Sequence, residues 1–125
     1  MIPGNHEYFF GYRAWIAHFA AMGMRVLENN HAVLERNGGR LVLADVTDLH
    51  FAHPAPDLVG ALKGAPKDAA VILLDHQPRE ARRAAVLGVA LQLSGHTHGG
   101  MVLGLDRLAA RANSGYVSAA TTSMA

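Results

Sequence analysis

The sequence predicts an α/β fold. Three observations carry that expectation. Val71-Ile72-Leu73-Leu74 and Val89–Leu93 are short, almost wholly apolar runs, as expected of strands buried on both faces. Between them Arg79–Leu87 mixes polar and apolar residues as a helix does, completing a strand, helix, strand unit. Upstream, His31–Arg36 and Arg40–Val46 flank Asn37-Gly38-Gly39, the turn chemistry of a β-hairpin.

The other elements follow in order. Pro3–Phe10 reads as the end of a strand feeding a loop. From Tyr12 to Met22, Trp15, Ile16, Phe19, Ala20 and Met22 recur at helical spacing, and Gly23 stands where a helix stops. A short strand is expected at Arg25–Glu28. Asp48–Pro56 contains two prolines and reads as a loop, and Asp57–Leu62 as one or two helical turns. An Ala/Ser/Thr-rich tail closes the chain, and no internal repeat is visible.

Composition narrows the function classes. At 125 residues, with 50% apolar and 17% charged, the chain reads as one globular domain, 1–125, with no interdomain linker. A chain of this size buries roughly two-thirds of its unfolded surface. The formal net charge is +1 without a block of like charge, so there is no nucleic-acid-binding signature. The absence of cysteine excludes disulfides and thiolate metal sites, leaving His, Asp, Glu, Asn or backbone oxygen as ligands. No apolar run approaches the roughly 20 residues that cross a bilayer, and Met1-Ile2-Pro3-Gly4-Asn5-His6 does not resemble a signal peptide.

Histidine is the outlying residue type, with eight copies. It is the commonest metal ligand and a proton shuttle near neutral pH. Gly95-His96-Thr97-His98-Gly99-Gly100 is the strongest motif: in a strand-like segment positions i and i+2 face the same way, so both imidazoles could reach one site. The glycines permit a tight turn beside a substrate. His76, in Asp75-His76-Gln77-Pro78, gains weight from its parallel placement after a buried strand, because ligands bind at the carboxyl ends of such strands. In Gly4-Asn5-His6-Glu7 an amide oxygen stands beside a proton donor. His18 reads as a helix residue and His31 as structural, while His50 and His53 are candidates for a substrate entrance against a plain surface loop.

In this order, Gly4-Asn5-His6-Glu7, a His after a buried strand and Gly95-His96-Thr97-His98 resemble the calcineurin-like metallophosphoesterases, over residues 1 to about 118. The flanking residues look closest to a bacterial branch that includes membrane-associated phosphoesterases. The resemblance implies a partial four-layer α/β/β/α sandwich lacking its first strands. It also implies two divalent metal ions, which mixed imidazole and oxygen ligands would suit as Mn, Fe, Zn or Ni. Asn5, His76 and His96 match ligands of the second metal, and His98 a ligand of the first. His6 matches the histidine that contacts the phosphate and protonates the leaving group, and Glu7 the residue that orients it.

The family's earlier Asp-x-His and Gly-Asp segments have no counterpart. Asp45, Asp48 and Asp57 all follow Gly4-Asn5-His6-Glu7, in the wrong order to replace them. Ala119–Ala125 does not continue the family's run toward its closing strands. The expectation is a chain clipped at both ends. Its intact parent would hydrolyse a phosphomonoester, phosphodiester or pyrophosphate, and the chain alone would have weak or no activity. The alternative is a non-catalytic metal-binding or interaction remnant. A third reading, a mononuclear His-site hydrolase, would need Asp75 or Glu7 as its carboxylate. The expected location is cytoplasmic, or at a membrane through an amino-terminal segment outside the chain.

Overall fold

The computed structural model describes residues 1–49, 54–98, 106–117 and 120–122. Its elements are α1 (Asn5–Phe9), α2 (Tyr12–Ala21), β1 (His31–Arg36), β2 (Gly39–Val46), α3 (Leu58–Leu62), β3 (Ala70–Asp75), a 3-10 turn (Pro78–Glu80), α4 (Ala81–Val86), β4 (Leu91–Leu93), α5 (Asp106–Ala112) and β5 (Ala120–Thr122). The strands form one five-stranded mixed sheet in the order β1-β2-β3-β4-β5.

The hairpin forms because Asn37 and Gly38 adopt φ of 52° and 79°, the paired positive values of the tight turn that matches strand twist. Gly39 is already in β2, opposite Arg36. From β2 the chain crosses over through α3 to β3 and through α4 to β4. Both steps give parallel pairs, with Leu43 beside Ile72 and Leu73 beside Gln92. The Asp57 side chain starts α3 by accepting from Gly60 N at 2.9 Å. Alternation along the strands turns Val42, Ala44, Val46 and Leu73 to one face, where Leu58 and Ala61 of α3 and Ala84 of α4 cover them. On the other face Leu43 and Leu74, with Ala32, Leu34, Leu27, Met24 and Met1, line an apolar groove of about 300 Å³. One helical layer on a mixed sheet is thus the described part of the expected sandwich.

Four local expectations change. Asn5–Phe9 is helical rather than the end of a strand, because the Glu7 carboxylate accepts from Gly4 N at 2.6 Å and caps the first turn. Arg25–Glu28 pairs into no described ladder; Leu27 N instead donates to Met1 O at 3.1 Å. The tail supplies β5, antiparallel to β4, and α5 had no counterpart in the sequence reading. The helix expected over Arg79–Leu87 opens as a 3-10 turn because Pro78 starts it. His18 is exposed, and His31 is half-buried with Nδ1 at 2.6 Å from Ala61 O, a structural placement. His50 and His53 lie outside the described residues.

Candidate metal centre

His76 follows directly on β3, and the parallel neighbour β4 delivers Ser94–His98 beside it, so both segments meet at the carboxyl edge of the sheet. Gly95 N donates to the His76 carbonyl at 3.2 Å, which fixes the two loops to one another. The Nε2 atom of His76 lies 2.7 Å from Asn5 Oδ1 and 3.3 Å from Nδ1 of His96. The two imidazoles stand edge to face, with centroids 5.1 Å apart. Residues separated by 71 positions are therefore brought into hydrogen-bond range.

Glycine at position 4 is a condition of that approach. A Cβ built there would lie 2.9 Å from His76 Cε1 and 3.0 Å from Nδ1. Burial, and then the neighbouring His96, push the His76 imidazole below its ordinary pKa, while Asp48 and Glu7 oppose the shift. Neutral imidazole is the form that binds metal.

His96 and His98 reach their places by a route the alternation argument did not foresee. β4 ends at Leu93, and both histidines lie beyond it with left-handed backbones, φ 62° and 52°. An L-residue adopts that region at a cost of about 1–3 kcal/mol, and such residues gather at functional sites. The segment is therefore not the extended strand on which the i, i+2 alternation rests. His96 turns in toward His76. His98 is exposed.

His6 sits exposed on the first turn of α1, with its ring 6.4 Å from that of Phe10. Glu7 spends one carboxylate oxygen on the Gly4 amide. Both lie close enough to His76 for their charges to act on its titration.

Behind the histidines lies a buried polar network that the sequence reading did not single out. Asp75 accepts from Gln77 N at 3.2 Å and from Gln92 Nε2 at 3.1 Å, and Gln77 Nε2 donates to Asp48 at 3.0 Å. Burial pushes Asp75 up to about 7 and Asp45 up to about 8. A signal existed: Gln92 interrupts the otherwise apolar run Val89–Leu93.

The donor set fits a divalent ion in part. Two imidazole nitrogens and one amide oxygen converge, and all three are neutral donors suited to borderline metals. Among the described residues no group of three or more His, Asp or Glu side chains is placed to hold a metal ion. The convergent set therefore rests on Asn5, His76 and His96, without a carboxylate.

No family model matches the chain, and no solved structure matches it. Curated proteins do. A "Transmembrane protein with metallophosphoesterase domain" of Danio rerio is 34% identical over 117 residues, 85% of this chain and 27% of that protein. An "Uncharacterized metallophosphoesterase" of Helicobacter pylori is 36% identical over 106 residues, 81% of this chain and 27% of the relative. Another of Aquifex aeolicus is 38% identical over 105 residues, 81% of this chain and 39% of the relative. The chain thus spans about a quarter of the first two relatives' length and about two-fifths of the third's. Vertebrate as well as bacterial proteins match, so the similarity is not confined to a bacterial branch. With the ordered motifs and matches over about four-fifths of its length, this chain belongs to the calcineurin-like metallophosphoesterase family.

Proposed function

We propose that this chain carries part of the site of a hydrolase that cleaves phosphomonoester, phosphodiester or pyrophosphate bonds at a dinuclear metal centre. The observation that supports it is the His76 Nε2 atom facing both Asn5 Oδ1 and His96 Nδ1 at the carboxyl ends of two parallel strands. Asn5, His76 and His96 would hold one divalent ion, and His98 would contribute to a second. Mn, Fe, Zn or Ni would suit these donors. Such ions supply Lewis acidity toward phosphoryl oxygens and a water activated at neutral pH.

This chain's own residues do the rest. A hydrogen on His76 Nε2 serves Asn5 Oδ1, and metal binding needs that nitrogen bare, so the two uses exclude each other. His6, exposed at the amino end of α1, is free to contact a phosphate and give a proton to the leaving oxygen. Glu7, by closing the first turn of α1, holds His6 in place through the backbone. Membrane association of a longer parent protein is part of the proposal. It is supported by the printed names of the Danio rerio and Bos taurus relatives. Among the described residues no helix is long and apolar enough to cross a membrane.

The alternative, a metal-binding remnant without turnover, is favoured by the missing carboxylate ligand among the described residues. The deciding experiment is Mn²⁺-dependent hydrolysis of a chromogenic phosphodiester by the purified chain, with His96→Ala beside it. Turnover that needs both Mn²⁺ and His96 supports the enzyme. Mn²⁺ binding that needs His96, without turnover, supports the remnant. Absence of both overturns the metal-centre reading.

A further inference from the structure

Asp75 and Gln77 are the immediate neighbours of His76, and their polar atoms are engaged in the buried network while the His76 ring meets Asn5 and His96. All members of that network are buried: Asp48 is 1% exposed, Gln92 3%, and Asp75 and Gln77 4% each. Gln92 is the member that joins the two ligand loops. Its Nε2 donates to Asp75 Oδ2, one residue before His76, and to Ser94 Oγ, two residues before His96, at 3.1 Å each. One planar amide thus spans the two strand ends that carry the imidazole pair.

Satisfying the buried Asp75 carboxylate accounts for the nitrogen end of this glutamine but not for its oxygen. Among the described residues its Oε1 is buried with no hydrogen-bond partner, which costs on the order of 1–3 kcal/mol. The flanking Leu91 and Leu93 show the strand to be apolar. Methionine is of similar length and would bury no unpartnered oxygen, but it would take one donor from the buried Asp75 carboxylate. Hydrogen-bond partners behind metal-ligating histidines set ring orientation, and their loss typically weakens metal binding about 10–100-fold.

We propose that Gln92 is a positioning residue, which sets the spacing of His76 and His96 by bridging Asp75 and Ser94. The proposal rests on the metal-centre reading above, and its test separates the two. Mn²⁺ affinity is measured by calorimetry on the full chain and on Gln92→Met, with thermal unfolding of both and ¹⁵N spectra of the histidine rings recorded without added metal. The expected result is an affinity loss of about tenfold in Gln92→Met, the low end of the range for direct partners, because Gln92 reaches each imidazole through the chain. Its thermal midpoint falls modestly, because the buried Asp75 carboxylate loses a donor, and the ring signals of His76 and His96 shift while those of His18 do not. Equal affinity in the two proteins overturns the proposal. Should the unsubstituted chain bind no Mn²⁺, the metal-centre reading fails and the ring spectra decide: unmoved His76 and His96 signals overturn positioning, and moved ones uphold it. Should Gln92→Met not fold, Ser94→Ala is measured in the same way. It removes one of the two acceptors at a half-exposed loop residue, and a smaller shift in the same direction is expected.

Discussion

Replacing Gly4 by alanine introduces a methyl group against the flat side of His76. The new Cβ would lie 2.9, 3.0 and 3.2 Å from Cε1, Nδ1 and Nε2, where ordinary contact begins at 3.4 Å. An imidazole cannot relieve this by turning one flexible end aside, because three of its ring atoms are hit together. Helix α1 and the ring must separate by about half an ångström, and overpacking of this kind costs about 1–3 kcal/mol. The same shift would stretch the 2.7 Å contact between His76 Nε2 and Asn5 Oδ1 toward the limit of a hydrogen bond. Site geometry tolerates only about 0.5 Å of error. Backbone strain does not confuse the result, since φ of Gly4 is −104°, open to alanine. Mn²⁺ affinity should fall at least tenfold, about 1.4 kcal/mol. Gly95→Ala is the control: its Cβ would approach the same ring only to 3.6 Å, an ordinary contact, and affinity should hold. Calorimetric titration of the three proteins decides. Unchanged binding in Gly4→Ala, or an equal loss in Gly95→Ala, would refute the packing argument.

The buried carboxyls predict a pH dependence. Folding raises Asp45 from 3.8 to about 8, so between those values the folded chain binds more protons than the unfolded one. Stability therefore falls as pH rises through that window, by up to about 1.4 kcal/mol per unit for one group. Asp75, raised to about 7, acts in the same direction, so Asp45→Asn should flatten the slope of urea midpoints from pH 5 to 9 without abolishing it. Equal slopes would discount Asp45. Mn²⁺ at a hundred times its dissociation constant should stabilise the chain by about 2.7 kcal/mol. That gain, read as a thermal shift, should vanish in His96→Ala and on adding chelator. Glu7→Ala should cost about 1 kcal/mol in urea unfolding by freeing the Gly4 amide, while Glu7→Gln, which keeps an acceptor there, should not. Equal losses would show that the charge, rather than the cap, is what matters.

Elements written in local chemistry were legible in the sequence. Asn37-Gly38 specified the hairpin because few residues accept two successive positive φ values. Val71–Leu74 specified a strand because nothing polar interrupts it, although only its Leu73 face is buried and Ile72 and Leu74 stay half-buried. The order of Gly4-Asn5-His6-Glu7, His76 and Gly95-His96-Thr97-His98 pointed to the family, since those residue types carry the chemistry wherever the backbone places them. Relations between distant residues were not legible. That α1 is helical depends on which way one glutamate bends, and β5 exists only because β4 offers a free edge to pair with. His96 was foreseen as a ligand, but not its left-handed backbone, because loop conformation beyond a strand is set by what the loop meets. Gln92 could be seen in sequence only as a polar interruption. Its bridge from Asp75 to Ser94 exists once β3 and β4 lie parallel in one register, and pairing of residues 19 apart, such as Ile72 and Leu91, is decided by tertiary packing rather than by local preference.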